Sequence, residues 1–348
     1  MKKARVLRNL GLAALALTAI STAVWPRAAY AVFRNWTAGA IPLEESPVWT
    51  GGKQYLGVPY ALDSGSQYLD LYVPKPMGGV LPKLFVLIHG GGFIAGDART
   101  RQIQFMVQYF RKRGYACASV NYRLAQEAPF PAGLADCKAA IRFLRVHADE
   151  YGYDAGKIAV WGESAGGYLA VMCAVTNDEE FTEVPFVGQE EAGTVSARVD
   201  VLADWYGHIN NAGDGADWKA LGIPYTVIAV ANSWASGEVL QGYENVESLW
   251  MRKNLSSMTA EELALCDPYA YIKRNDLTGL SAWIVHGDCD ITVPYLHSER
   301  LAAALSEKLG RNAVCYRLIP GMGHASDPLY SDGLLGELRE FLDRAMSD

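Results

Sequence analysis

Apolar residues along this chain follow two rhythms, every second position and every third or fourth, and over most of its length the two take turns. Residues 67–73, Gln-Tyr-Leu-Asp-Leu-Tyr-Val, alternate and predict a strand. Residues 83–89 form a short β-rich run closed by three glycines, and 101–113 carry helical spacing. A strand is predicted over 116–122. A helix follows over 133–147, with Ala135, Ala139, Phe143 and Val146 on one side. Residues 157–161 read as a strand, 165–175 as a helix rich in small residues, and 199–205 as a further apolar strand. The rhythm then lapses over 208–265. It resumes with strands at 282–285 and 314–319, a helix over 299–309 between them, and a final amphipathic helix over 333–346. Strands alternating with helices predict an α/β fold, a mostly parallel sheet covered by helices on both faces. The irregular stretch 208–265 is expected to be an insertion over the carboxyl edge of that sheet, in effect a lid.

The first residues follow a different logic. Lys2, Lys3, Arg5 and Arg8 precede an uncharged run from Leu10 to Trp25, then Pro26-Arg27 and the small-residue pattern Ala29-Tyr30-Ala31. This is the layout of a secretory signal peptide over 1–31, with cleavage expected after Ala31 and residues 32–348 forming one folded domain. The apolar run falls short of the roughly 20 residues of a comfortable bilayer span, so a cleaved signal is favoured over a signal anchor. The expected location is secreted or cell envelope, with no stable membrane span after cleavage. Removing 1–31 deletes five basic residues (Lys2, Lys3, Arg5, Arg8, Arg27) and no acidic ones, taking the net charge from −7 to −12. So acidic a surface repels phosphate backbones, which argues against a nucleic-acid partner. Six cysteines are scattered without close-paired ligand spacing, and Cys117, Cys173 and Cys315 lie in apolar stretches as expected of small buried hydrophobes.

Two glycine motifs carry the chemistry. Gly162-Glu163-Ser164-Ala165-Gly166 stands between a predicted strand and a predicted helix. A serine hydroxyl needs a base beside it and a backbone that holds it clear of the surface, and a Gly-x-Ser-x-Gly elbow supplies the second. Ser164 is therefore the candidate nucleophile, and the Ala165 N–H, opening the helix, a candidate oxyanion donor. His89-Gly90-Gly91-Gly92-Phe93 follows an earlier strand. Glycines there let backbone N–H groups face a cavity, which makes Gly91 and Gly92 the other oxyanion candidates.

The remaining partners are expected in the order Ser, acid, His. Among six histidines, His324 in Gly321-Met322-Gly323-His324 lies after the last strand and before the final helix, which makes it the candidate general base. Asp288 and Asp290, in His286-Gly287-Asp288-Cys289-Asp290, compete for the acid. Asp290, farther from the strand, is preferred, with Asp288 capping the turn and His286 bracing it. The histidines are too dispersed for a metal, and Gly90-Gly91-Gly92 and Gly96 miss the dinucleotide spacing, so no cofactor is expected.

With these residues in place the chain resembles the α/β-hydrolase superfamily. Within it, the chain is similar to the hormone-sensitive-lipase-like carboxylesterases, most of all to bacterial acetylxylan- and feruloyl-type esterases. The resemblance runs from about Tyr55 onward, excluding much of 208–265. It rests on Tyr68 to Pro74, the 89–93 run, Asn121-Tyr122-Arg123-Leu124, Phe130-Pro131-Ala132 with Asp136, the 162–167 elbow, Asp204-Trp205-Tyr206-Gly207, and the 286–294 and 321–324 segments. It implies a triad of Ser164, Asp290 and His324, an oxyanion site of Gly91, Gly92 and Ala165, and organising roles for Glu163, Tyr122 and Arg123. The implied activity is hydrolysis of small acyl or aryl esters, including acetyl or feruloyl esters of plant polysaccharide. A prolyl-oligopeptidase-type peptidase or aryl amidase shares the triad and stays open, as does a non-catalytic binding module on the same scaffold. Trp218, Tyr225, Trp234, Tyr243 and Trp250 make the insertion aromatic; they suit a phenolic or sugar face, but packing onto the core is the favoured role for most.

Overall fold

The computed structural model describes residues 51–209, 214–223, 240 and 242–347. The segment read as a signal peptide lies outside them. Eight strands form one sheet: β1 (Gly52–Pro59), β2 (Tyr68–Pro74), β3 (Lys83–Ile88), β4 (Ala116–Val120), β5 (Asp154–Glu163), β6 (Val201–Trp205), β7 (Ser281–Gly287) and β8 (Val314–Ile319). Their spatial order is β1-β2-β4-β3-β5-β6-β7-β8. The pairs β1–β2 and β2–β4 are antiparallel, and every pair from β4–β3 to β7–β8 is parallel. This is the mostly parallel sheet the alternating pattern predicts, in the arrangement that the resemblance to the α/β-hydrolases implies.

Strand β1 escapes the sequence pattern because it is an edge strand none of whose eight residues is buried. Its register shifts between Tyr55 and Val58, where Gly57 takes φ +67° and donates its N–H to Asp70 Oδ1 at 2.7 Å. A bulge of this kind spoils period-two alternation.

The parallel strands are buried on both faces, and alternate side chains feed two cores. Leu84, Val86 and Ile88 of β3 join one; Phe85 and Leu87 join the other. Helix α1 (Arg101–Arg111) covers the second face, and helices α2 (Ala132–Val146) and α3 (Ala165–Val175) the first. Between β6 and β7 stand the short helices α4 (Asp214–Ala220), α5 (Val246–Met251), α6 (Ala260–Leu265) and α7 (Pro268–Arg274). Helix α8 (Leu296–Leu309) joins β7 to β8 on the first face, and α9 (Asp332–Ala345) ends the fold on the second. Among the described residues no helix is long and apolar enough to cross a membrane. Cys117 and Cys173 are buried as expected, while Cys315 is only partly so.

Candidate active site

The carboxyl ends of β3, β5, β7 and β8 converge on one place, where loops carry every candidate residue. Strand β5 ends at Glu163 and α3 begins at Ala165, so Ser164 alone makes the turn, at φ +52° and ψ −121°. Such a conformation is costly for a residue with a Cβ, by about 1–3 kcal/mol. The Ser164 N–H is held by Trp205 O at 2.9 Å. Close packing around the elbow requires glycine: a Cβ on Gly162 would stand 2.0 Å from Gly166 O, and one on Gly166 would stand 2.3 Å from Ile88 O.

Ser164 Oγ lies 3.0 Å from His324 Nε2, and His324 Nδ1 lies 2.7 Å from Asp290 Oδ2. A carboxylate only accepts, so the imidazole proton sits on Nδ1 and the Nε2 lone pair faces the serine hydroxyl, which donates. Asp290 is 2% exposed, and its Oδ1 accepts the Thr292 and Val293 N–H groups at 2.8 and 2.9 Å. Burial raises its pKa, but the His324 and His286 imidazoles outweigh that and hold the carboxyl well below its usual range. Asp288 instead accepts the Gly321 N–H at 2.6 Å, tying the loop after β7 to the loop that carries His324. The structure thus brings Asp290, not Asp288, to the imidazole.

The glycine loop after β3 lies against the elbow, since a Cβ on Gly90 would meet Glu163 O at 2.9 Å and Ser164 Cβ at 3.3 Å. Gly91, Gly92 and Phe93 take φ of +120°, +59° and +62°. Among the described residues no group accepts the N–H of Gly91, Gly92 or Ala165. The Ala165 amide also opens an eleven-residue helix, whose dipole favours negative charge there. His89 is fully buried and serves the loop: its Nδ1–H donates to Gly90 O at 2.7 Å, and its ring stacks on Tyr122 at 4.3 Å. Burial pushes its pKa down to about 4.

Several residues stand behind the triad that the sequence marks weakly or not at all. Glu163, 5% exposed, accepts the Tyr206 and Tyr330 hydroxyls at 2.6 and 2.7 Å. The Tyr206 ring lies 4.7 Å from the His324 ring, so this network forms a floor under the imidazole. Burial raises the Glu163 pKa, opposed by the two hydroxyls. Tyr330 carries no signal in the sequence, being one aromatic in a short turn. Arg123 and Asp136 pair at 2.8 Å and, with Gln67, brace the loop after β4 without reaching the triad. In the insertion, Trp218 and Trp250 are buried and Tyr243 partly so, which is packing; Tyr225 and Trp234 lie outside the described residues.

The BD-FAE family model matches residues 69–305, from β2 into α8. The chain belongs to the BD-FAE family. Among curated relatives, the BD-FAE chain is 26% identical over 269 residues to "Esterase LipC" of Mycobacterium tuberculosis, covering 77% of this chain and 59% of that protein. It therefore spans about six tenths of that relative's length. Among solved structures it is similar to a "truncated form of carbohydrate esterase from gut microbiota", with TM-score 0.68 and 23% identity over 86% of this chain and 98% of that one. A "bifunctional GH43-CE" protein of Bacteroides eggerthii follows with TM-score 0.65 and 25% identity, over 84% of this chain and 35% of that one. These likenesses agree with the resemblance to α/β-hydrolase esterases carried by the sequence motifs.

Proposed function

We propose that this BD-FAE chain is a serine carboxylic ester hydrolase with Ser164 as nucleophile, His324 as general base and Asp290 as the acid that orients it. One observation carries the reading: the continuous Ser164–His324–Asp290 hydrogen-bond chain, at 3.0 and 2.7 Å, beside three amides that no described residue uses. His324 Nε2 takes the hydroxyl proton as Ser164 Oγ adds to the ester carbonyl. The negative charge that collects on the carbonyl oxygen is received by the Gly91, Gly92 and Ala165 N–H groups. The imidazolium returns its proton to the departing alkoxide, the alcohol leaves, and an acyl-serine remains. Water, deprotonated by the same Nε2, then releases the acid and restores the serine.

Ser164→Ala is expected to lower kcat on p-nitrophenyl acetate by about 10⁴-fold or more with the fold intact by circular dichroism. Retained activity overturns the assignment. For the substrate, acetyl or feruloyl esters of plant polysaccharide are the best-supported class, given the family and the carbohydrate-esterase titles of the similar structures. A panel of acetylated xylan, methyl ferulate, acyl p-nitrophenyl esters and aminoacyl-proline amides tests this, and faster amide cleavage would favour a peptidase. The segment 1–31 supports export, which predicts a mature protein beginning at Val32 by N-terminal sequencing.

A further inference from the structure

Asp290 faces a second imidazole. His286, near the end of β7 and wholly buried, sits four residues before the acid, with its Nε2 3.3 Å from Asp290 Oδ2 and 3.1 Å from Val293 O. Its Nδ1 lies 2.8 Å from Ser298 Oγ on α8. Hydrogen counting fixes the direction of these bonds. Both neighbours of Nε2 are acceptors, so Nε2 carries a proton. Burial pushes the His286 pKa below its usual value against the pull of Asp290, so the ring is neutral and Nδ1 is a lone pair. The Ser298 hydroxyl must then donate to it.

That hydroxyl has one proton, which leaves its oxygen free to accept from the other side. Asp204 of β6 is there, fully buried among Gly167, Gly207 and Ser298, with neither carboxyl oxygen in a hydrogen bond of good geometry to a described residue. Burial raises its pKa to about 7, against the opposing pull of the Gly207 N–H and the Ser298 side chain. The hydrogens of Ser298 and His286 therefore both point toward Asp290. The other groups that face His286 are the Tyr206 ring, 6.3 Å away on the β6 side, and the His324 imidazole across Asp290.

We propose that His286 is a positioning residue for the reaction: its Nε2–H, shared between Val293 O and Asp290 Oδ2, restrains that oxygen beside His324 Nδ1, and Ser298 fixes the tautomer that allows it. Oδ1 is already held by two backbone amides, so His286 completes the restraint of the carboxylate. Without it, Oδ2 has one partner and the carboxylate can swing away from the line of the imidazole. The inference deepens the serine-hydrolase reading and rests on it.

The test compares wild type, His286→Phe and His286→Gln on p-nitrophenyl acetate across pH, with Tm measured for each. His286→Phe fills the space without a donor and is expected to lower kcat about tenfold with KM within about twofold. Its acid limb of kcat/KM should move to higher pH, because Asp290 with one donor fewer presents more charge to the imidazolium. His286→Gln, which keeps an N–H at similar reach, should recover most of the kcat loss. Equal kcat and an unmoved acid limb in His286→Phe overturn the proposal, as does an equal loss in both variants that tracks Tm. Should His286→Phe fail to fold, Ser298→Ala decides: a threefold or greater fall in kcat at constant KM supports it, and unchanged kcat overturns it. A wild-type protein without esterase activity would instead overturn the underlying reading.

Discussion

Gly91 stands at φ +120°, and a Cβ there would lie 2.0 Å from the carbonyl oxygen of Ala95, an atom of the same loop that cannot move aside without opening it. Gly91→Ala is therefore expected to displace an amide assigned to the oxyanion. The predicted loss in kcat is about 10²–10³-fold, measured by steady-state kinetics with the far-ultraviolet dichroism unchanged. Gly65→Ala is the control, since its Cβ meets nothing within 4 Å. The two motifs were legible at this scale because each glycine answers a local need that no other residue meets. Ser164 and the 89–93 run could be found by eye for that reason. Choosing between Asp288 and Asp290 needed the folded loop, where one accepts a backbone amide and the other an imidazole. From sequence His286 shows only as a turn brace, because its partner Ser298 comes from helix α8.

At the level of elements, the short helix α5 is fastened to the glycine loop. Its Trp250 stacks flat on Phe93 at 4.1 Å and meets Phe130 and Tyr168 edge-on at 4.8 and 5.2 Å. The backbone joins in, with the Phe130 N–H donating to Trp250 O at 2.8 Å. Phe93 needs such support, since φ +62° is uncomfortable for an aromatic residue. Trp250→Ala is expected to cost about 3–5 kcal/mol of stability. It should also lower kcat on p-nitrophenyl acetate at temperatures where the variant is still folded. Loss of stability by denaturant titration with normal kcat would show that α5 packs without holding the loop. The long helices α1, α2, α8 and α9 show their period in the sequence. Helices α5 and α6 have six residues each, too few for a period to register, and are set by their caps. Asn245 accepts the Ser248 N–H, and Thr259 and Glu262 form a capping box.

Buried titratable groups give the whole molecule a pH response. In the fold His89 donates Nδ1–H to Gly90 O, while its Nε2 has no partner among the described residues, so a second proton there would be buried unpaired. Its pKa is lowered to about 4, whereas the unfolded chain takes the proton near pH 6.5. The unfolded state therefore binds more protons between those values. Stability from this group is present above about pH 6.5 and is lost as pH falls toward 4, by roughly 3 kcal/mol in all. Asp204 works in the opposite sense, since its raised pKa means the fold holds a proton that the unfolded chain releases as pH rises toward 7. The wild-type slope is thus a difference of terms. Denaturant titrations at pH 7 and 4.5 should show a smaller acid-induced loss in His89→Gln than in wild type, and equal losses would refute the assignment.

By itself the sequence determined the sheet-and-helix rhythm, the serine elbow, the glycine loop and the identity of the histidine. Each of these is written in neighbouring residues, as a period, a turn that only glycine permits, or a position at a strand end. The tertiary structure alone decided which aspartate meets the imidazole. It also decided that Tyr206, Tyr330 and Glu163 floor it, that Trp250 holds Phe93, and that His286, Ser298 and Asp204 stand behind the acid. Those groups are distant in the chain and become neighbours only when parallel strands bring their carboxyl ends to one edge. Burial then does what no local pattern encodes: it removes water as an alternative partner, so each polar group must find its hydrogen bond in the protein.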